Sequence, residues 1–208
     1  MASTSLRAPT IREEHANMEF VRTAIPDVIL IKPRVHGDHR GYFVETYRQD
    51  KLEALLGHGL SFCQDNESKS SKGVLRGLHY QLPPFAQTKL VRVIQGSVLD
   101  VAVDIRQGSP TFGKHVAVCL SAQNKHQLFI PRGFAHGFVV LEDDTIFAYK
   151  ADNYYAPEHD RGIAYDDGDL NIDWHLPKEA LILSPKDTQQ PPFKNNTALF
   201  TYGVNYYG

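Results

Sequence analysis

The sequence predicts an all-β protein, an antiparallel β-sandwich of jelly-roll type with a few short helices. Three observations carry that prediction. Short apolar-alternating runs dominate the chain from residue 27 to residue 151. Gly, Pro, Asn and Asp interrupt them at about the 8–12-residue spacing of a sandwich or barrel. Helical periodicity is confined to one stretch.

The chain starts with a polar stretch, "MASTSLRAPTIREEHANM", that lacks the apolar centre of a signal peptide. It is expected to form an N-terminal extension over residues 1–20, ahead of a single domain at 21–208. "DVILIKPRV" (27–35) and "GYFVETY" (41–47) are the first expected strands. "DKLEALLG" (50–57) has Asp50 as N-cap, Glu53 three residues on and Gly57 beyond the end, which predicts a short helix. Residues 73–105, "GVLRGLHYQLPPFAQTKLVRVIQGSVLDVAVDI", read as β-sheet, with a Pro-Pro turn ahead of the strand that begins at Lys89. Within them Leu99, Val101, Val103 and Ile105 share one face and Asp100 and Asp104 the other, the pattern of a half-buried strand. Runs at 113–121, 126–131, 136–142 and 145–151 continue the series, and "PKEAL" (177–181) adds a helical turn.

A chain of 208 residues, 42% hydrophobic and 22% charged, suits one globular core. A net charge of −2 gives no reason to expect nucleic acid or an anionic membrane as partner. No apolar run approaches the roughly 18 residues of a membrane span. Two cysteines without C-x-x-C spacing predict neither a disulfide framework nor structural zinc, and a reducing cytoplasm is the expected compartment.

So apolar a stretch as 73–105 has little use for Arg76, His79, Lys89 and Arg92 unless they converge on a ligand. Arg76 and His79 have opposite parity, so a regular strand sends them to opposite faces. They meet only if Gly77 marks a bulge or strand end. A metal centre is not expected. Metal-binding jelly rolls of the cupin type use H-x-H followed by Glu, and here His79 is followed by Gln81, a poor ligand for a transition metal. "PRGFAHGF" (131–138) does resemble the second cupin motif. His can take a proton, Lys and Arg can hold anionic oxygens and Tyr can donate a proton, a set that suits proton abstraction beside a carbonyl. Tyr149 is a candidate donor and Asp187 a candidate to orient His79.

Further motifs complete a pattern. "FCQDNESKSSKGVLRGLHYQ", "AQTKLVRVIQGSVLDVAVDIR", "GSPTFGK", "IPRGFAHGF", "NYYAPEHDRGI" and "DLNIDW" together resemble the dTDP-4-dehydrorhamnose 3,5-epimerases, in order from about Ile31 to Asp187. The resemblance implies a cupin-type jelly roll, a homodimer with strand exchange, and no metal or cofactor. It implies inversion of C3 and C5 of dTDP-4-dehydro-6-deoxy-D-glucose. It gives His79 the role of base, Asp187 that of its partner, Tyr149 that of acid, and Lys89 that of support for the 4-keto oxygen. Arg76, Arg40 and Glu45 resemble contacts to the nucleotide diphosphate and base. Gln64, Asp65, Asn66, His136 and Lys186 resemble further ligand contacts. Phe43, from the partner subunit, and Tyr155 resemble the aromatic pair around thymine. Asp160, also matched to a ligand contact, stands where the family usually has Glu. Members that invert only C3, or that act on other nucleotide-linked 4-keto sugars, keep the same His, Asp and Tyr. A non-catalytic sugar-nucleotide binder needs only the phosphate and base contacts.

Overall fold

The alternating runs pair into two antiparallel sheets stacked face to face in the computed structural model, which describes residues 17–208. Along the chain come β1 (Met18–Arg22), β2 (Ile29–Pro33), the hairpin β3 (Val35–Asp38) and β4 (Gly41–Val44), and helix α1 (Gln49–Leu56). Then follow β5 (Gln64–Ser70), β6 (Leu75–Gln81), β7 (Lys89–Gln95), β8 (Ser97–Asp104) and the short β9 (Arg106–Gln107). The remaining strands are β10 (His115–Ser121), β11 (Gln127–Ile130), β12 (Phe134–Val140), β13 (Thr145–Ala151), β14 (Asp160–Gly162) and β15 (Phe200–Thr201). One sheet has the order β1-β2-β11-β7-β13-β5, the other β10-β8-β12-β6-β14. From β5 to β14 the chain passes back and forth between them, except that β8 and β10 are neighbours in the five-stranded sheet; this is a jelly-roll path.

Three apolar clusters hold this arrangement. Val91, Val98, Leu128, Phe138 and Phe147 fill the space between the sheets. Leu78, Leu99, Val101 and Val103 face outward from the five-stranded sheet and are covered by Ile163, Trp174 and Phe200 from the last third of the chain. Ile29, Ile31, Leu90 and Phe129, on the outer side of the six-stranded sheet, are covered by Leu52 and Leu60. Each large side chain so buried contributes about 1.5–3 kcal/mol. No helix among the described residues is long and apolar enough to cross a membrane.

Several elements differ from expectation. β1 begins at Met18, inside the stretch expected to be extension, because Met18 and Phe20 are buried; residues 1–16 lie outside the described residues. The strand expected over 27–35 divides between β2 and β3. β5 was not foreseen, since "QDNESKS" has no apolar residue to alternate. The helix starts at Gln49 with Arg48 as N-cap, and Asp50 instead accepts from the Arg48 guanidinium at 2.8 and 2.9 Å. Glu53 makes no capping box, its carboxylate taking the Leu60 N–H. Gly57 closes the helix at φ 75° as expected. β8 is buried on both faces: Asp100 and Asp104 are 0% exposed, because their face is the inner one and the apolar face is covered from outside. Asp104 is satisfied by Arg106, Ser109 and Thr111.

Candidate active site

The parity conflict in "RGLHYQ" is resolved by a bulge. His79 pairs with His136 and Arg76 with Phe138, so Gly77 and Leu78 together oppose Gly137. Gly77 has φ +136°, and a Cβ there would lie 2.6 Å from the Gly137 Cα. Glycine at both positions lets the strands approach, and the extra residue turns Arg76 and His79 toward the same space.

That space is a cavity of about 500 Å³ between the sheets, lined by Arg76, His79, Lys89, His136, Tyr149 and Asp187, among others. His79 and His136 stand on the five-stranded sheet, Lys89 and Tyr149 on the six-stranded one, so the two pairs occupy facing walls. His79 Nε2 lies 2.5 Å from Asp187 Oδ1. With Nε2–H given to the carboxylate, Nδ1 carries the ring's lone pair. Asp187 Oδ2 accepts the Gly77 N–H at 3.3 Å, so the bulge glycine also fixes the carboxylate. Burial pushes the Asp187 carboxyl up, but bonds from His79, Gly77 and Ser184 outweigh it and hold it below the usual range.

Lys89 Nζ lies 5.5 Å from the centre of the Tyr149 ring. Burial pulls its ammonium down to about 8, against the opposing charges of Asp160 and Asp100. Burial pushes the Tyr149 phenol up, with a bond from Asn66 opposing, so it remains a protonated donor at neutral pH. Burial pulls His136 down, Asp100 opposes, and Lys89 and His79 add to the fall. The neutral ring donates Nε2–H to Asp100 Oδ2 at 2.9 Å. One wall thus carries an imidazole lone pair, the other an ammonium and a phenol. That arrangement can remove a proton, hold developing negative charge and return a proton from the far side.

Of the residues picked from the sequence, Asn66 joins this cavity. Gln64 reaches it indirectly, its amide donating to Asn66 and accepting the Tyr155 N–H. Asp160 and Lys186 form an ion pair with each other, and Asp160 is close enough to raise Lys89. Tyr155 is 58% exposed. Asp65 is not brought to the cavity: alternation along β5 turns it to the outer side of the sheet, where Lys150 binds it at 3.0 Å. Arg40, Phe43 and Glu45 belong to the hairpin region, outside the cavity of their own chain. Arg40 pairs with Asp38, and Phe43 is 70% exposed. Gln81, at the position where a metal-binding motif has His, is buried and spends its amide on the Phe85, Tyr154 and Ala156 backbones. Among the described residues no group of three His, Cys, Asp or Glu could hold a metal ion.

Asp100, Ser184 and Phe138 were missed. Asp100 carried a signal, a carboxylate recurring in an otherwise apolar strand, but period two does not say which face is inner. Ser184 and Phe138 carried none.

The sequence profile described as dTDP-4-dehydrorhamnose 3,5-epimerase matches residues 22–195. A protein of that name from Pseudomonas aeruginosa is 56% identical over 176 residues, covering 85% of this chain and 96% of the relative. One from Shigella flexneri is 54% identical over 176 residues, with the same shares of 85% and 96%. The crystal structure of dTDP-6-deoxy-D-glucose-3,5-epimerase from Legionella pneumophila, in complex with dTDP-4-keto-L-rhamnose, aligns with a TM-score of 0.86 at 49% identity. That alignment covers 90% of this chain and 100% of the other.

Proposed function

Because the chain belongs to the dTDP-4-dehydrorhamnose 3,5-epimerase family, we propose that the His79 cavity converts dTDP-4-dehydro-6-deoxy-D-glucose to dTDP-4-dehydro-L-rhamnose. The observation that carries the residue roles is the facing of His79 and its buried Asp187 by Lys89 and Tyr149 across one cavity.

His79 Nδ1 takes the proton from a carbon beside the 4-keto group. The C–H electron pair becomes the C=C bond of an enolate, and the keto oxygen takes the negative charge. Lys89 meets that oxygen as an ammonium. Donors of this kind are worth about 2.7–4 kcal/mol of barrier, and a general base about 10²–10⁴-fold. Tyr149 returns a proton to the opposite face, inverting the carbon. His79 then passes its proton to solvent and Tyr149 recovers one, so nothing is oxidised or reduced. Repeating the sequence at the other carbon flanking the ketone completes the conversion. The protein's own side chains supply every step, and no cofactor takes part.

Arg76, with His136, Asn66 and Gln64, holds the diphosphate end; Asp160 and Lys186 line the approach. A planar guanidinium matches phosphate oxygens in pairs. Two chains form a homodimer in which Phe43 and Arg40, with Glu45, reach the partner's cavity and Phe43 stacks on thymine against Tyr155. The exposure of Tyr42 and Phe43, at 61% and 70%, supports a partner over this hairpin. The cytoplasm is the proposed compartment, in keeping with two free, exposed cysteines.

The test is NMR of the protein with dTDP-4-dehydro-6-deoxyglucose in D₂O. Deuterium should enter at C3 and C5 as the L-sugar forms, and His79→Ala should abolish incorporation while dTDP still binds. Persistent exchange in that variant would remove His79 from the role of base. Label at C3 alone would make the protein a 3-epimerase.

A further inference from the structure

Past residue 195, where the family match ends, the chain returns to the fold and locks onto it. β15 pairs with β9, the Thr201 N–H donates to the Tyr206 hydroxyl at 2.8 Å, and Tyr207 turns inward. The Tyr207 ring lies 4.4 Å from the His58 ring and beneath the Arg132 guanidinium at 4.9 Å. The same guanidinium donates to the Tyr206 carbonyl.

The Tyr207 hydroxyl sits in a hydrogen-bond chain whose direction is determined at one end. It accepts the Arg132 N–H at 3.2 Å and bonds Thr88 Oγ1, 2.9 Å away; because the Thr88 hydroxyl gives its proton to a carboxylate, Tyr207 is the donor to Thr88. Thr88 in turn bonds the Asp152 carboxylate through its hydroxyl, and through its N–H at 2.5 Å. The Asp152 N–H closes a ring by donating to the Thr88 carbonyl at 3.2 Å. Arg132 Nε holds the other Asp152 oxygen at 3.1 Å. Thr88 is wholly buried and Asp152 nearly so, and each oxygen and N–H in this clasp is used. Removing one link leaves a buried partner unsatisfied.

The clasp fastens β7 to β13 where Lys89 pairs with Ala151, one residue from Thr88 and one from Asp152. These are the strands that carry Lys89 and Tyr149. We propose that Tyr207 is a positioning residue for the reaction, its hydroxyl holding the Thr88–Asp152 clasp and thereby the placing of Lys89 and Tyr149 on the cavity wall. The inference rests on the proposed roles of those two residues, and its tests separate the two readings.

Tyr207→Phe keeps the ring between His58 and Arg132 and removes only the hydroxyl. Amide exchange at Thr88 and Asp152, which needs no substrate, should rise about fivefold or more, while exchange in β8 and β12 stays unchanged. Unchanged exchange at Thr88 and Asp152 overturns the inference whatever the substrate is. With the dTDP-sugar, kcat should fall about 10-fold, the scale of a small misplacement at a reacting centre, while KM stays within twofold. Equal kcat for variant and wild type overturns it; so does a rise in KM alone. Thr88→Val should lower kcat likewise, and the double variant should be no worse than the poorer single one. Additive losses would mean that the hydroxyl acts elsewhere, which overturns the proposal. If wild-type protein exchanges no substrate proton while the amide response appears, the proposed reaction fails and the clasp stands.

Discussion

Replacing Asp187 by Asn tests the proposed base at its support. The side chain is 4% exposed, and Asn has nearly the same volume, so the variant should fold. What changes is the His79 bond. The carboxylate accepts Nε2–H at 2.5 Å, whereas the amide offers a neutral oxygen or, turned over, a donor that forces the proton onto the wrong nitrogen. A hydrogen bond to a charged group is worth about 1.5–3 kcal/mol. At about 1.36 kcal/mol per decade, that predicts a fall in kcat of about 10- to 150-fold. KM should hold, because Asp187 touches the base and not the nucleotide-binding groups. The assay is steady-state turnover of dTDP-4-dehydro-6-deoxyglucose, with single-turnover deuterium exchange to isolate the proton transfer. Linkage gives a second signature. The Asp187 carboxyl is held below its ordinary range, so its stabilising contribution is full above that range and is lost as pH falls through the folded value. The Asn variant should lose less stability on acidification than the wild type. A kcat within twofold of wild type would refute the reasoning, since the short bond would then do nothing for the base.

Tyr149→Phe keeps the ring beside Lys89 and removes the proposed acid. Exchange at one carbon should survive while inversion drops, and equal loss of both on NMR would mean that the phenol acts before deprotonation. Lys89, lowered to about 8, should give kcat/KM an alkaline limb in which activity falls tenfold per unit above that pH, because in the proposed mechanism the ammonium is the form that meets the enolate. Lys89→Arg should lose the limb from the measurable range, and a limb unmoved in that variant would assign it to another group. Gly77→Ala adds a Cβ 2.6 Å from the Gly137 Cα at φ +136°, a conformation costing about 1–3 kcal/mol for an L-residue before any clash. A Tm drop of at least about 2 °C is expected, together with loss of activity. Calorimetry showing wild-type stability would mean that the bulge tolerates a side chain.

The sheets were legible because period two is local: each run of β7, β8, β10, β11, β12 and β13 names itself from a handful of neighbours. β5 escaped for the same reason, since a strand of polar residues carries no such signal until its partner is known. The identities of His79, Lys89, Tyr149 and Asp187 were legible through resemblance of whole motifs, not through spacing, which offered only a plausible set of chemical groups. What the fold alone decided is where those groups meet. His79 and Asp187 are 108 residues apart, and no local pattern brings them to 2.5 Å. The bulge at Gly77, which turns Arg76 and His79 to one side, exists only against the partner strand β12. The buried face of Asp100 became an inner wall because the last third of the chain covers the opposite face of β8. Tyr207 reaches Thr88 for a similar reason, across 119 residues. Sequence alone determined the local alternation and the chemical alphabet. Convergence depends on which sheet face becomes interior, and that is decided by long-range packing, to which a single residue's neighbours along the chain are blind.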